Sequence, residues 1–297
     1  FVFFFQQMLV GRKSYVTVSG KSAAQSKFVP LPKWMKALCY CIAFIVIVFV
    51  VYLYFIILAG SFVKVWGIDN TLTLQNYRYV FANGKKAVSD TLTIAFVSTL
   101  LGALLSVVIG YIIQRKEFPA KRLLDFSSLL NYALPGTVVG IAYIAAFNKR
   151  PILLTGTMTI LVAAYIFRYY ATGIRSVIAS LQQIDPTLEE ASASLGAGAV
   201  RTFTHVTIPL IIPAILTGMR YLFIHCMTAI SATIFLVSAR WTLLTTRILE
   251  SMTELQFPQA SAFSIVLIII VFAADALIAL CMKLYSMQFT KEAKQKL

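Results

Sequence analysis

The chain has 297 residues, of which 59% are hydrophobic and only 12% are charged, and its formal net charge is +15. Soluble domains carry about 45–50% apolar and roughly 25% charged residues, so this composition excludes an ordinary soluble domain and indicates a membrane protein. The positive charge requires no nucleic-acid partner, because basic loops beside a bilayer give such a total and attract anionic membrane lipid.

The first 36 residues do not form a complete span. Residues 1–10 are apolar but too short to cross a bilayer, and no basic stretch precedes them, so they make a poor secretory signal. We interpret 1–10 as the tail of a preceding transmembrane helix. We interpret 11–36, which is rich in Lys, Ser and Pro, as a linker. The chain is therefore expected to be the second half of a longer protein.

Six longer blocks follow, each with at least the roughly 20 mostly apolar residues that a spanning helix needs. They are Met35–Phe62, Val88–Ile113, Leu123–Phe147, Ile152–Ile174, Val206–Val237 and Ala260–Tyr285. Barrel strands would alternate polar and apolar residues, and these blocks do not. The sequence thus predicts an all-α fold: a polytopic transmembrane bundle of about six spans over residues 37–286, with a tail at 287–297.

The segments between the spans fall into two alternating sets. The linker, the loop 115–122, the long loop 175–205 and the C-terminal tail hold more Lys and Arg than the opposite set. Cytoplasmic loops of membrane proteins are enriched in these residues, so the linker and the C-terminus are predicted to face the cytoplasm.

The sequence offers no motif for chemistry on the chain itself. It contains no Walker phosphate loop, no His-Glu-x-x-His pattern and no Ser-His-Asp pattern, and its four cysteines lack metal-ligand spacing with a histidine. We therefore predict no catalytic residue, no metal site and no cofactor in this chain. Active transport would need a partner ATPase or an ion gradient.

The long loop at 183–209 predicts a short helix, a glycine turn and a second short helix that leads into a span. Asp185 is a good N-cap and Pro186 a good first helical residue. Two acidic residues occupy the first turn, where the helix dipole favours negative charge: Glu189 and Glu190. Gly196 is expected to end the helix in a left-handed conformation, and Pro209 marks the entry to the fifth span.

This loop resembles the cytoplasmic motif E-A-A-x3-G-x9-I-x-L-P of the permease subunits of bacterial ABC importers. Glu190-Ala191-Ser192 stands for E-A-A, Gly196 follows after three residues, and Val206-Thr207-Ile208-Pro209 follows nine residues later. The spacing is intact and the departures are mild. Segments 133–140 and 231–238 look like the ferric-iron branch of these permeases, in which two homologous halves are often fused.

The resemblance implies a type I importer permease fold in the bacterial inner membrane. It also implies a cytoplasmic ATPase dimer that carries ATP and Mg, a periplasmic substrate-binding protein, and a second permease half, fused or separate. The loop helix would be the coupling helix that docks on the ATPase. The residues expected to couple to the ATPase are Glu189, Glu190, Ala191, Ser192, Gly196, Val206, Ile208 and Pro209.

Four residues inside predicted spans are candidates for a hinge or for the transport pathway. Pro135-Gly136 lies within the third span, where it is either a functional bend or a kink that membrane helices tolerate. Arg220 and Asp275 are charges at membrane depth, which are costly and often functional. We expect them to pair with each other or to face the pathway.

Ferric iron is the expected substrate by resemblance to that branch. Phosphorylated sugars, phosphonates and polyamines are alternatives within the same importer class. Two other classes stay open, an ion-gradient-driven secondary transporter and a membrane-embedded enzyme. A secondary transporter needs acidic or His relays within the spans, where only Asp275 is a clear deep carboxylate. A membrane-embedded enzyme needs a cluster of catalytic residues. Co-purification with an ATPase separates the importer from both.

The predicted orientation makes the linker near Lys21 inaccessible from outside the cell. Protease added to intact spheroplasts should leave this segment uncut, and the same protease should cleave it after the membrane is permeabilised. Cleavage in intact spheroplasts would invert the topology.

Overall fold

In a computed structural model, residues 32–295 are described, with side chains described as far as residue 283. The predicted helix tail at 1–10 and most of the linker at 11–36 lie outside the described residues. The chain divides into two compact units between residues 52 and 53. In the first unit, described residues 33–52 are helical, and nearly all of their side chains are exposed.

The described residues form helices and one small antiparallel sheet. The helices are α1 Lys33–Ser61, α2 Gln75–Asn83, α3 Lys85–Arg115, α4 Lys121–Ala133, α5 Gly136–Phe147, α6 Met158–Gln182, α7 Thr187–Ser194, α8 Ala199–Thr202, α9 Ile208–Thr228, α10 Thr233–Leu236, α11 Leu244–Thr253 and α12 Phe257–Gln295, with a π-helical turn at Phe203–Thr207. Strands β1 (Val63–Val65) and β2 (Asp69–Leu72) form the sheet. The all-α prediction is confirmed.

Within the described residues, four helical runs are long and apolar enough to cross a membrane. They are Lys33–Ser61, Lys85–Arg115, Ala199–Thr228 and Phe257–Lys283, and the bent pair α4–α5 would make a fifth. The first, second and sixth predicted spans coincide with α1, α3 and α12. The linker predicted to reach residue 36 ends earlier, because α1 already begins at Lys33, and the predicted tail is helical as far as Gln295.

The third predicted span is two helices rather than one. The axes of α4 and α5 differ in direction by 108° across a break at Leu134 and Pro135. Proline has no backbone N–H to donate, and its ring pushes the preceding residue out of the helical region. Leu134 is accordingly extended, with φ −78° and ψ 144°.

The fourth predicted span is shifted toward the C-terminus. Helix α6 begins at Met158 instead of Ile152 and continues to Gln182, so Arg175 lies inside a helix and not in the following loop. Arg175 pairs there with Asp125 of α4 at 2.6 Å, and the carboxylate is largely buried. This ion pair supports a charged residue within an otherwise apolar bundle, which composition alone could not reveal.

The fifth predicted span is too long at its C-terminal end. Helix α9 stops at Thr228, and α10 forms a separate short helix after it. The Ala229 carbonyl at this break accepts hydrogen bonds from the hydroxyls of Thr233 and Thr245, at 3.0 Å and 2.9 Å. Hydroxyl side chains that donate to a backbone carbonyl in this way offer it an alternative to the hydrogen bond of a continuing helix, and they therefore favour a break.

The centre of the bundle is the close packing of α3, α6 and α9 through small residues. The Ser106 hydroxyl of α3 donates to the Tyr170 carbonyl of α6 at 3.0 Å. On α9, a Cβ added at Gly218 would lie 3.0 Å from the Gly173 Cα of α6. Small residues let membrane helices approach until their backbones touch, which increases dispersion contacts where lipid provides no hydrophobic drive.

This packing predicts that one methyl group added at Gly173 lowers the stability of the bundle. A Cβ at Gly173 would lie 2.6 Å from Ser106 Oγ and 2.9 Å from Ser106 Cβ, so Gly173→Ala should destabilise the bundle by about 1–3 kcal/mol. The midpoint of unfolding in detergent measures the effect. Gly198→Ala is the matched control, because no atom lies within 4 Å of its added Cβ. Equal midpoints for the two variants would contradict the packing argument.

Candidate functional site

A hydrogen bond to the side chain of a preceding residue holds the start of the loop helix α7. Pro186 occupies the N-cap position, and the Asp185 carboxylate accepts a hydrogen bond from the Thr187 backbone N–H at 3.0 Å. This backbone hydrogen bond is the main reason that the pKa of Asp185 lies below its usual value. The capping role predicted for Asp185 is therefore present, one residue ahead of the N-cap position.

Helix α7 ends at a glycine turn, as predicted. Gly196 has φ +84°, a conformation that residues with a Cβ rarely adopt. The Ala197 N–H donates to the Ser192 carbonyl at 3.1 Å, and the Gly196 N–H donates to the Ala193 carbonyl at 2.9 Å. These two bonds form a Schellman motif, which satisfies carbonyls that the helix end would otherwise leave unpaired.

A second short helix and a π-helical turn connect the glycine turn to α9. The Ser192 hydroxyl of α7 lies 2.9 Å from the Thr202 hydroxyl of α8, so the two short helices are joined by a hydrogen bond. The Ile208 N–H then donates to the Phe203 carbonyl, five residues back, as a π turn requires. Pro209 follows in the first turn of α9, where its missing N–H costs little.

The loop is anchored to α3 by one acidic side chain. Glu189 Oε1 lies 3.3 Å from Arg115 Nε and accepts a hydrogen bond from Thr207 Oγ1 at 3.1 Å. Glu189 Oε2 accepts one from the Tyr111 hydroxyl at 3.3 Å. Arg115 also donates to the Ile184 carbonyl at 3.0 Å. Tyr111 and Arg115, which the sequence analysis missed, lie four residues apart on one face of α3, and this spacing was the available signal.

An apolar cluster lies beneath this polar network. The rings of Tyr111 and Phe203 meet edge to face with centroids 4.7 Å apart. The surrounding residues come from α3, α6 and α9: Val107, Val177, Leu181, Ile208 and Ile211. The loop is thus packed against the ends of three long helices.

The structure divides the eight predicted coupling residues into two sets. Three are exposed on the outside of the loop: Glu190, Ala191 and Gly196. The other five are half-buried against the bundle or within the loop: Glu189, Ser192, Val206, Ile208 and Pro209.

The predicted hinge at Pro135-Gly136 lies where two helix breaks meet. Gly136, the first residue of α5, is so close to Ser231 that a Cβ on it would overlap the Ser231 side chain. One turn further along, a Cβ at Gly140 would lie 2.9 Å from the Ala232 carbonyl oxygen. At the C-terminal end of α4, the Leu134 carbonyl accepts a hydrogen bond from the Arg168 side chain at 2.9 Å.

The two charges predicted at membrane depth are paired. The Arg220 guanidinium of α9 binds the Asp275 carboxylate of α12 through two hydrogen bonds, from Nε to Oδ1 and from Nη2 to Oδ2 at 2.5 Å. Of the two alternatives left by the sequence, the structure shows the pairing, and a place in the transport pathway stays a prediction. It neutralises two charges that would be costly alone in a bilayer.

Acidic, histidine and cysteine side chains are scattered in the described part of the chain. Within residues 32–283, no group of three or more of them is close enough together to hold a metal ion.

A bundle of membrane-length helices with a short loop helix fastened to their ends defines an integral membrane protein. The chain belongs to the family of binding-protein-dependent transport system inner membrane components, whose profile matches residues 102–287. It is therefore a multi-pass protein of the inner membrane.

Relatives of the chain include ferric and sulfate transport system permease proteins. The chain is 37% identical over 277 residues to the ferric transport system permease protein FbpB of Actinobacillus pleuropneumoniae, covering 92% of this chain and 40% of that protein. It is 27% identical over 195 residues to the sulfate transport system permease protein CysT of Escherichia coli, covering 61% of this chain and 70% of that protein. The chain thus spans about two fifths of the length of the ferric relative.

Solved structures show the same fold. A bacterial ABC transporter involved in the import of the acidic polysaccharide alginate matches with a TM-score of 0.71 and 15% identity, covering 84% of this chain and 96% of that chain. The MetNI methionine ABC transporter in an inward-facing conformation matches with a TM-score of 0.57 and 15% identity, covering 67% and 94%. The fold is that of a type I importer permease.

The contact between Gly136 and Ser231 predicts that a substitution at one residue can compensate for a substitution at the other. Gly136→Ala should lower stability by about 1–3 kcal/mol, because its Cβ overlaps the Ser231 side chain. Adding Ser231→Gly removes the overlapping atoms and should restore most of the loss, as measured by the unfolding midpoint in detergent. A double variant no more stable than Gly136→Ala would show that the overlap is not the cause.

Proposed function

We propose that this chain is one permease half of an ATP-driven, binding-protein-dependent importer of ferric iron. The observation that carries the proposal is the capped loop helix α7, which bears the importer motif and is fastened to the ends of α3, α6 and α9. The identity with a ferric transport permease supports iron as the substrate. Because the chain spans two fifths of that relative, a second permease half, fused or separate, completes the pathway.

In this proposal, α7 docks on a cytoplasmic ATPase dimer that binds ATP and Mg. The outer side of the loop is suited to docking, because Leu195 is 90% exposed and Leu188 and Val200 are also exposed. Contiguous exposed apolar patches mark protein interfaces, and we expect these three side chains to contribute to one. Glu190, Ala191 and Gly196 are also exposed on the loop.

The proposed transport step is a movement of the membrane helices that follows closure of the ATPase dimer. Force on α7 reaches the bundle through the loop, because the π turn leads directly into α9. The break at Pro135-Gly136 divides the third span into two segments that can move separately, which fits the role of a hinge. The Arg220–Asp275 pair joins α9 to α12, so these two helices would move together.

The opposite end of the bundle would receive the periplasmic binding protein. There, Lys86 at the start of α3 donates to the Arg240 carbonyl at 2.5 Å, and Asp90 accepts from the Thr242 N–H at 3.0 Å. Helix α3 has 31 residues and is about 45 Å long, so this end lies across the membrane from Arg115. The binding protein would chelate and select the iron. The C-terminus would face the cytoplasm.

An uptake assay tests the proposal. The full permease, its ATPase and its binding protein are expressed in cells that lack ferric uptake, and labelled ferric iron is followed. Gly196→Val should reduce uptake about tenfold, because a side chain in the left-handed conformation costs about 1–2 kcal/mol. Gly198→Val is the matched control, since Gly198 has φ −68° and open space around it.

Each outcome of this assay separates the alternatives. Iron uptake that depends on Gly196 supports both the importer and its substrate. ATPase association without iron uptake discards iron, and sulfate is then the first substrate to try because of the CysT likeness. A permease that transports without any ATPase would be a secondary transporter.

A further inference from the structure

We propose that Glu189 is a positioning residue that fastens the loop helix to the membrane helices, so that motion of the loop and motion of α3 and α9 are coupled. The proposal rests on the proposed importer function. It assigns different roles to two adjacent glutamates of α7, of which only Glu190 is part of the motif. Glu190 faces outward, whereas Glu189 binds the protein's own bundle.

The carboxylate of Glu189 joins three elements. It belongs to α7, its Oε1 binds Thr207 in the π turn before α9, and both oxygens contact α3 through Arg115 and Tyr111. Adjacent residues of a helix point about 100° apart, so Glu190 cannot share these partners. One side chain therefore connects the loop helix to two membrane helices.

The burial of this network distinguishes it from a surface ion pair. The side chain of Arg115 is 10% exposed and that of Glu189 is 18% exposed. The Lys121–Glu117 pair, only a few residues away, leaves Glu117 89% exposed. Exposed pairs contribute little to stability, whereas removing one partner of a buried pair leaves an uncompensated charge. Glu189 should therefore matter far more than Glu117.

The network also gives the loop a second mechanical connection to the bundle. The chain itself joins the loop to α6 at Gln182 and to α9 at Ile208. Helix α3 is not adjacent to the loop in sequence, so its attachment depends on side chains, chiefly the Glu189 contacts and the Arg115 bond to the Ile184 carbonyl. Without Glu189, movement of α7 would reach α3 only through the Arg115 bond to the Ile184 carbonyl and through apolar packing.

Amide hydrogen exchange in the permease without its ATPase tests the attachment directly. Glu189→Gln keeps the side-chain shape but removes the charge, and it should speed exchange within Thr187–Ser194 about tenfold by local opening. Glu117→Gln is the matched control and should leave exchange there unchanged. Exchange in Glu189→Gln equal to that of the unmodified protein overturns the proposal.

The ratio of substrate transported to ATP hydrolysed, measured in proteoliposomes, tests the positioning role. Glu189→Gln should lower this ratio at least about fivefold while the ATPase remains bound, since the outward surface of the loop is intact. The exchanged pair Arg115→Glu with Glu189→Arg should recover part of the loss. A normal ratio despite faster exchange overturns the positioning role.

Different results would contradict the proposed importer function and the proposed role of Glu189. An unmodified complex that shows no ATP-driven transport contradicts the proposed importer function. The exchange result still decides whether Glu189 holds the loop.

Discussion

Backbone contact between α6 and α9, where Gly218 lies against Gly173, is the constraint on which the rest of the structure depends. Together with the Ser106 bond from α3, it fixes three long helices at small separations. Their ends then converge on one side of the bundle, where Glu189 of the loop helix forms an ion pair with Arg115 and accepts a hydrogen bond from Thr207. The proposed coupling site is thus a product of packing far from it.

Charged side chains within the bundle form ion pairs between helices. Asp125 and Arg175 join α4 to α6, and Arg220 and Asp275 join α9 to α12. Each pair spares a membrane helix an isolated charge, and each ties together elements that are distant in sequence. Such pairs would let groups of helices move together, as the proposed transport step requires.

The sequence predicted local features better than contacts. The glycine turn at Gly196 and the capping by Asp185 follow from backbone preferences of single residues, and both were found. The partners of Glu189 depend on how helices pack and could not be deduced from one sequence. Pro135 predicts a functional bend or a tolerated kink, but neither the angle of 108° nor the close approach of Gly136 to Ser231 can be deduced from one sequence.

The π turn at Phe203–Thr207 lies between the glycine turn and α9, where the number of residues sets which face of α9 meets the loop. One residue more or fewer between Gly196 and Pro209 would rotate everything after it by about 100° around the axis of α9. Thr207 would then leave Glu189, and Ile211 would leave the apolar cluster it now shares with Val177. The number of residues between Gly196 and Val206 therefore determines which face of α9 meets the loop.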